Sequence, residues 1–392
     1  MVDFTHMILG PSMGMILADM GAEVIKVEPV KGDNTRRLIG SGAGFYAMFN
    51  RNKKSLAVDT KSPRGREIVH KLIATADVFS ENFKPGAMAK LGFDYATLSK
   101  LNPRLVYVSH KGFLPGPYEN RTALDEVVQM LGGLAYMTGM PGQPVRAGSS
   151  VNDIMGGMFG AIGVLAALME RDHPTHGTGK GREVKTALFE NNILLVAQHM
   201  LQYSITGQPA APMPVRINAW GVYDIFEVKG GEQIFLGVVT DTQWAVFCDA
   251  FGFADLKADQ RLTTNTARVT ERTWTIPLLR QRLADRPAAE IAAVFEHNEL
   301  PFAPIGKPHE LLDDPHLAAT GGLADVMLPA DATGLGKPVA TKMPLLPMAM
   351  DGARFPVRLP PPGIGEHSGE VLADLGYAAD DIAALKSDGI VK

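Results

Sequence analysis

The sequence predicts an α/β protein in which a parallel sheet is followed by a second, smaller domain. In the first third of the chain, short apolar segments typical of strands alternate with segments of helical periodicity. Such alternation favours a parallel sheet covered by helices. A stretch rich in proline and alanine comes later, and a hairpin-like pattern follows it. This order predicts a linker and then a separate domain.

The first elements follow from local patterns. Strands are predicted at residues 2–4, 24–28, 54–59, 77–81 and 105–109. A helix over residues 11–20 is expected to end before Gly21, which is typical of a helix C-terminus. A second helix over residues 62–76 carries Pro63 in its first turn, where proline is tolerated.

The remaining elements define the domain division. Residues 125–202 are helical in pattern, with breaks at 137–144 and 173–181, and Lys229-Gly-Gly predicts the turn of a hairpin. The predicted division is a large domain at residues 1–204 and 346–392, linkers at 205–219 and 326–345, and a small domain at 220–325.

Composition narrows the class of protein. The chain has 392 residues, of which 46% are hydrophobic and 20% charged, with a net charge of -4 and no Lys/Arg block. We therefore expect a globular protein without a nucleic-acid partner. Cys248 is the single cysteine, so no internal disulfide can form and a cytoplasmic location is expected. The N-terminus has no signal-peptide pattern, and the longest apolar run, residues 154–169, predicts a buried helix and not a membrane span.

Two familiar motifs fit poorly. Gly10-Pro-Ser-Met-Gly14 matches the nucleophile elbow of esterases, but it follows the first strand and carries Pro11 beside the serine, so a tight strand-to-helix turn is the better interpretation. Glu28 ends the second strand as in dinucleotide-binding folds, yet the first turn lacks the glycine fingerprint. No zinc motif is present, and no metal is expected.

The segment Arg146–Asp153 is more informative. Asp153 immediately precedes an apolar helix that carries small residues at Gly156, Gly157, Gly160, Ala161 and Gly163. The positive end of a helix favours a charged carboxylate, so we expect Asp153 to be ionised. The residues alone allow two interpretations: a helix cap, which is the commoner role for such an aspartate, or a nucleophile.

Several stretches in the same order resemble one family. They are Val2–Pro11, Leu17–Pro29, Gly32–Asp33, Asn52–Ser55, Glu81–Gly86, Asn102–Ser109 and Gly363–Leu372. Over nearly its whole length the chain resembles the family III CoA-transferases of the formyl-CoA transferase type. The resemblance implies a Rossmann-like large domain, a smaller α+β domain and an interlocked, knotted homodimer. The active site would then lie between the large domain of one subunit and the small domain of the other.

The resemblance also implies a reaction. The family's single nucleophilic aspartate corresponds to Asp153, which would move CoA from an acyl-CoA donor to a small carboxylic acid through an aspartyl-CoA thioester. No metal takes part in this chemistry. The residues carried over as CoA contacts are Arg36, Lys61, Asn82, Phe83, Lys111, Met7, Ile8 and Lys90, the last standing where the family has an arginine.

Departures from the family pattern point to the substrate. Ile8 stands in place of a glutamine of formyl-CoA transferase, and no tetraglycine loop occurs near residues 218–223. We therefore expect a larger acid than formate or oxalate, with succinyl-CoA as donor and Arg216, or an arginine nearby, holding a second carboxylate. A racemase of the same fold is an alternative, but Leu124 replaces the histidine that serves as its second base. A non-catalytic CoA-binding protein is the other alternative.

Overall fold

The chain forms two compact units. The computed structural model describes residues 1–216 and 218–392, and the units are Met1–Met213 with Pro315–Lys392, and Pro214–Asp314. The predicted small domain extended to residue 325, whereas the structure includes residues 315–325 in the larger unit. Much of the linker expected at 326–345 is strand, and Asp331 between the two strands accepts a hydrogen bond from Ile364 N–H at 2.6 Å. This contact fixes the segment to the larger unit.

The larger unit is built on a six-stranded parallel sheet, which confirms the α/β prediction. Its strands are β1 (Val2–Asp3), β2 (Val24–Glu28), β3 (Lys53–Ala57), β4 (Val78–Glu81), β5 (Val106–Lys111) and β6 (Glu183–Ala187). Their spatial order is β3-β2-β1-β4-β5-β6, and all neighbours are parallel. Rossmann-type sheets share this order and bind ligands beyond the carboxyl ends of the strands where the order reverses. Here that point lies between β1 and β4.

The strand β6 was not predicted. It has five residues, and Glu183 and Lys185 are exposed, so it lacks the apolar run that identified the other strands. It lies at the edge of the sheet beside β5, between two helices. Its pairing with β5 is a tertiary contact that the local pattern does not show.

The helices of the larger unit cover the sheet and its edges. They are α1 (Leu9–Asp19), α2 (Phe45–Phe49), α3 (Pro63–Ala74), α4 (Ala87–Leu91), α5 (Tyr95–Leu101), α6 (Asp125–Leu131), α7 (Leu134–Thr138), α8 (Val151–Asp172) and α9 (Leu188–Thr206). The predicted motif Gly10–Gly14 lies inside α1 and not in a strand-to-helix turn. The buried Ser12 hydroxyl donates to the Ile8 carbonyl at 2.7 Å, so it is not presented as an esterase nucleophile would be.

The described residues of the smaller unit form an antiparallel sheet and five α-helices. Its strands are β7 (Val222–Glu227), β8 (Gln233–Val238) and β9 (Phe302–Pro304), and its helices are α10 (Asp241–Phe251), α11 (Ala254–Ala258), α12 (Asn265–Thr270), α13 (Arg272–Leu283) and α14 (Ala288–His297). The β7–β8 turn contains Gly230 and Gly231, both with positive φ. Cys248 lies in the core of this unit, where burial raises the pKa of its thiol to about 12. An un-ionised buried thiol is unreactive.

The C-terminal part returns to the larger unit. Its elements are α15 (Pro315–Ala319), β10 (Leu323–Leu328), β11 (Val339–Pro344), β12 (Ala349–Met350), β13 (Ala353–Arg354), α16 (Ser368–Asp374) and α17 (Ala379–Ser387). The chain's last residues close against β3, since Lys392 N–H donates to the Ala57 carbonyl at 3.1 Å.

The long helix α8 packs closely on α1. A Cβ atom added at Gly157 would lie 2.5 Å from Ser12 Cβ and 2.9 Å from the Met13 nitrogen. Because glycine has no side chain, the backbones of α1 and α8 can approach each other closely at this point. The sequence placed Asp153 immediately before this helix. The helix begins at Val151, however, so Asp153 lies in its first turn.

Only one face of α8 is buried. Met158, Ile162 and Met169 on the other face are 51%, 58% and 73% exposed. Within residues 1–216 and 218–392, α8 is the one helix long and apolar enough to cross a membrane. Its glycine face is packed in the larger unit, as in the core helix of a globular protein. The sequence predicted a buried helix, and the structure buries the face that carries the glycines while the other face is exposed.

Candidate active site

A cavity of about 460 Å³ opens at the carboxyl edge of the parallel sheet. Four segments form most of its wall: the turn after β1, the segment after β4, the segment from β5 to α6, and the first turn of α8 with the residues before it. The main lining residues are His6, Met7, Ile8, Leu9, Asn82, Phe83, Lys84, His110, Lys111, Arg121, Asp125, Glu126, Arg146 and Asp153. All of them belong to the larger unit. The cavity therefore lies where a Rossmann-type sheet binds its ligand.

Asp153 lies in this cavity with an unusual pKa. Burial and the nearby carboxylates of Asp125 and Glu126 raise the pKa of its side chain to about 7, from 3.8. The sequence led us to expect that the helix N-terminus favours the ionised form of this carboxylate, whereas burial and the two neighbouring carboxylates favour the protonated form. Near neutral pH the group is present in both protonation states.

Asp125, the first residue of α6, adds to the effect of burial on this pKa. Its Oδ2 atom accepts hydrogen bonds from the N–H groups of Asn152 and Asp153, at 2.7 and 2.9 Å. These are free donors of the α8 N-terminus, which would otherwise stabilise a charge on the Asp153 side chain. Asp125 thus caps the helix and places its own negative charge beside Asp153.

A buried glutamine extends this contact. Gln129 Nε2 donates to Asp125 Oδ1, and Gln129 Oε1 accepts from the Ala147 N–H at 2.8 Å. Gln129 is fully buried, and Asp125 is 3% exposed. The loop before α8 and the helix start are therefore held by one hydrogen-bonded chain. Asp125 was not among the site residues predicted from the sequence, although two acidic residues at the start of α6 are typical of a helix N-terminus.

Arg36 does not line the cavity. Its buried guanidinium donates to Glu28, with Nε to Oε2 at 2.9 Å and Nη2 to Oε1 at 2.6 Å. It also donates to the Pro362 carbonyl at 2.9 Å and to the Tyr46 hydroxyl. These bonds join the sheet to the C-terminal segment, so the guanidinium that the resemblance assigned to CoA is committed to the protein.

The predicted lysines have different surroundings. Lys111 lines the cavity, but its ammonium donates to both Glu81 carboxylate oxygens at 2.7 and 2.8 Å and to the Phe83 carbonyl at 2.6 Å. These three acceptors use its three protons. Lys61 and Lys90 are exposed and are not among the residues that line the cavity.

The other predicted contacts do line the cavity. Asn82 and Phe83 follow β4, and Met7 and Ile8 belong to the turn after β1. Met7 has a φ of 64°, a left-handed conformation that costs a residue with a side chain roughly 1–2 kcal/mol. Ile8 is 3% exposed and contributes an apolar side chain to the cavity lining.

Several cavity residues were absent from the sequence-based prediction. Arg121 lies 3.9 Å from the centre of the Tyr118 ring and has no carboxylate partner in the described part of the chain. Lys84 also lacks such a partner among the described residues, and it belongs to Glu81–Gly86, one of the stretches that resemble the family. Arg146 lies 2.5 Å from Glu126 in a half-exposed ion pair. The cavity therefore offers unpaired cations for an anionic ligand, but they are not the ones that were predicted.

Burial lowers the pKa of two histidines that line the cavity. Burial lowers the pKa of His110 to about 4, and its Nδ1 atom lies 2.8 Å from the Thr186 hydroxyl. Burial also lowers the pKa of His6. Within the described residues, no group of three or more His, Cys, Asp or Glu side chains could hold a metal ion.

A cavity at the carboxyl edge of a Rossmann-type sheet, with an acidic group of raised pKa inside it, is typical of the active site of an α/β enzyme. The model of CoA-transferase family III matches residues 1–368, and the chain belongs to this family. It is an enzyme of the CoA-transferase type.

Similar proteins agree with this assignment. The chain is 34% identical to a succinate–glutarate CoA-transferase of Agrobacterium fabrum, with 95% of this chain and 94% of that protein covered. It is 32% identical to a formyl-CoA:oxalate CoA-transferase of Rhodopseudomonas palustris, with 99% and 95% covered. The crystal structure of a CAIB/BAIF family protein from Brucella suis is 30% identical and has a TM-score of 0.82, covering 95% of this chain and 97% of that one.

Proposed function

We propose that the protein transfers CoA from an acyl-CoA donor to a carboxylic acid through an aspartyl-CoA thioester on Asp153. The observation that carries this proposal is the position of the Asp153 carboxylate in the cavity at the carboxyl edge of the sheet. Its raised pKa also matters, because a carboxylate of higher pKa is a stronger nucleophile and is still partly ionised at neutral pH.

The reaction proceeds in four balanced steps. The Asp153 carboxylate attacks the donor thioester carbonyl, and the C–S bond breaks. CoA leaves as a thiolate, and a mixed anhydride between Asp153 and the donor acid remains. The thiolate attacks the Asp153 side-chain carbonyl and releases the donor acid, leaving an aspartyl-CoA thioester. The acceptor carboxylate attacks the carbonyl of this thioester and displaces the thiolate, which gives a second mixed anhydride. The thiolate then attacks the carbonyl carbon of the acceptor, which gives the new acyl-CoA and frees the Asp153 carboxylate. Each step exchanges one acyl bond for another, so no ATP or metal is needed.

Succinyl-CoA is the proposed donor, with small carboxylic acids as acceptors. The similarity to a succinate–glutarate CoA-transferase supports this choice. So does Arg121, whose guanidinium is stacked on Tyr118 and has no carboxylate partner among the described residues. A planar cation fixed against a ring is suited to bind a second carboxylate in two-point geometry. Because Arg121 lines the cavity, it replaces Arg216 as our proposed ligand for that group.

We also propose an interlocked homodimer located in the cytoplasm, without a nucleic-acid or membrane partner. The support for the dimer is the exposed apolar surface of α8 and α9. On α9, Leu194, Leu201 and Ile205 are 57%, 62% and 83% exposed. Large exposed apolar areas are typical of protein interfaces. Light scattering during size-exclusion chromatography tests this directly, since a monomer at micromolar concentration would contradict it.

An isotope-exchange experiment tests the reaction. The enzyme is incubated with succinyl-CoA and ¹³C-labelled succinate, and label entering succinyl-CoA is followed by mass spectrometry. A double-displacement enzyme exchanges label without any other acid, and Asp153→Ala should abolish this exchange. Exchange that persists in Asp153→Ala would remove Asp153 from the mechanism. Exchange of the α-proton without exchange of the acid would instead support the racemase.

A further inference from the structure

The turn between β1 and α1, residues 4–8, is fixed by side chains of other segments. The Thr5 N–H donates to Asp3 Oδ1 at 3.0 Å, and the buried Lys26 ammonium donates to the Thr5 carbonyl at 2.8 Å. The end of this turn lines the cavity together with Asp153. Its conformation therefore sets the shape of one cavity wall.

The turn contains a strained residue. Four non-glycine residues in the described part of the chain have positive φ: Met7, Asn52, Glu299 and Asp351. Of these, Met7 alone lines the cavity. Its N–H donates to the Thr35 hydroxyl at 3.0 Å, and Thr35 is 3% exposed. A left-handed conformation of this kind persists only where surrounding contacts enforce it.

Asn82 provides two of these contacts. Its Oδ1 atom accepts from the His6 N–H at 3.0 Å, and its Nδ2 atom donates to the His6 carbonyl at 2.7 Å. The carboxamide thus binds both polar groups of the residue before Met7, as a neighbouring strand would. Its oxygen and one of its two N–H groups face the turn, which limits what the side chain can offer a ligand.

The segment that carries Asn82 follows β4 and lines the same cavity. The Phe83 ring lies 5.0 Å from the His6 ring, and the Phe83 carbonyl accepts from Lys111 at 2.6 Å. Asn82 therefore joins two walls of the cavity, one that follows β1 and one that follows β4.

We propose that Asn82 is a positioning residue, which holds the left-handed Met7 turn in the form that accepts CoA. The direct CoA contact inferred from the resemblance is then not its main role. The proposal concerns the CoA cavity and does not depend on the chemistry of Asp153.

A pair of substitutions separates positioning from contact. Without Asn82, Met7 can relax to a right-handed conformation and distort the wall. Glycine occupies the left-handed region without a steric penalty, so Met7→Gly removes most of the need for the Asn82 contacts. If Asn82 acts by positioning, its loss should matter less in the Met7→Gly background.

The experiment measures the dissociation constant of CoA by titration calorimetry for the wild type, Asn82→Ala, Met7→Gly and the double variant. Asn82→Ala should weaken CoA binding about tenfold, equivalent to about 1.4 kcal/mol, when Met7 is present. In the Met7→Gly background the same substitution should weaken it about threefold or less. An equal loss in both backgrounds would overturn the proposal and indicate direct contact.

Hydrogen exchange and a second variant keep the test decisive. The His6 amide donates to Asn82, so its exchange should accelerate in Asn82→Ala without CoA present; unchanged exchange would contradict the proposal. Should Asn82→Ala fail to fold, Asn82→Asp serves instead. It keeps the acceptor for His6 N–H but turns an oxygen toward the His6 carbonyl, so it should also weaken CoA binding, and again less in the Met7→Gly background. Since no turnover is needed, failure of the Asp153 mechanism would leave these results unaffected.

Discussion

Asp125 Oδ2 accepts a hydrogen bond from the Asp153 N–H at 2.9 Å, so the residue that caps α8 is itself negatively charged. The same carboxylate accepts from the Asn152 N–H at 2.7 Å. A helix N-terminus normally lowers the pKa of an acid in its first turn. Here the cap uses these N–H groups, and its charge adds to burial in raising the pKa of Asp153 to about 7. The nucleophile proposed for the reaction is thereby held close to its titration midpoint at neutral pH.

Asp125→Asn should lower the pKa of Asp153. The variant keeps an oxygen that can accept from both helix N–H groups but removes the negative charge. The acid limb of the plot of kcat/KM against pH should therefore move to lower pH, because Asp153 ionises more readily. Glu126→Gln is the matched control: Glu126 is half exposed and paired with Arg146, so its effect should be smaller. An acid limb that stays in place in Asp125→Asn would show that this charge does not control Asp153.

Asp153→Asn should stabilise the protein at high pH. A group whose pKa is higher in the folded state contributes stability that is present below its unfolded pKa and is lost as pH rises through its folded pKa. For Asp153 this interval runs from 3.8 to about 7. The asparagine mimics the protonated form of Asp153. The unfolding free energy of the variant should therefore exceed that of the wild type by an amount that grows across this pH interval and reaches up to about 4 kcal/mol above pH 7.

Urea unfolding of the wild type and Asp153→Asn at pH 5, 6, 7 and 8 measures this effect. The difference in unfolding free energy should increase with pH and then level off. A difference that is independent of pH would mean that Asp153 ionises in the folded protein as easily as in the unfolded chain.

Arg36→Met should destabilise the fold. Glu28 would lose its buried partner, and removal of one member of a buried ion pair typically costs about 3–5 kcal/mol. Urea unfolding measures the loss, with the exposed Lys61→Met as control, for which a change within about 0.5 kcal/mol is expected. A stable Arg36→Met protein with greatly weakened CoA binding would instead support the contact that the resemblance implied.

Arg121→Gln should discriminate between acids. If the Arg121 guanidinium binds a second carboxylate, the KM for succinate as acceptor should rise by about 10- to 100-fold, the equivalent of a charged hydrogen bond. The KM for butyrate, which has the same chain length but one carboxylate, should change much less. Equal effects on both acids would assign Arg121 to CoA or to the protein's own structure.

The parallel sheet could be predicted because its strands are buried apolar segments. Val24–Glu28 and Val78–Glu81 lie where the pattern placed them, within a residue. The edge strand β6 could not be predicted, since Glu183 and Lys185 give it a polar sequence and only its pairing with β5 makes it a strand.

The candidate site was predictable in position but not in its electrostatics. The resemblance identified Asp153, and the structure places it in the cavity. Its raised pKa depends on burial and on the charge of Asp125, which is distant in sequence and reaches the start of α8 only in the folded chain. The same holds for two of the predicted CoA contacts. In the sequence Arg36 and Lys111 each look free to bind a phosphate, but in the folded chain Arg36 pairs with Glu28 and Lys111 pairs with Glu81.

Intact-mass spectrometry after brief incubation with succinyl-CoA tests the central claim most directly. We expect the wild type to gain the mass of CoA less one water, with peptide mapping that places the thioester on Asp153, and Asp153→Ala to gain nothing. Addition of a carboxylic acid acceptor should discharge the adduct. A wild type that shows no adduct while turning over, or an adduct of the same mass on Asp153→Ala, would contradict an aspartyl-CoA thioester at this residue.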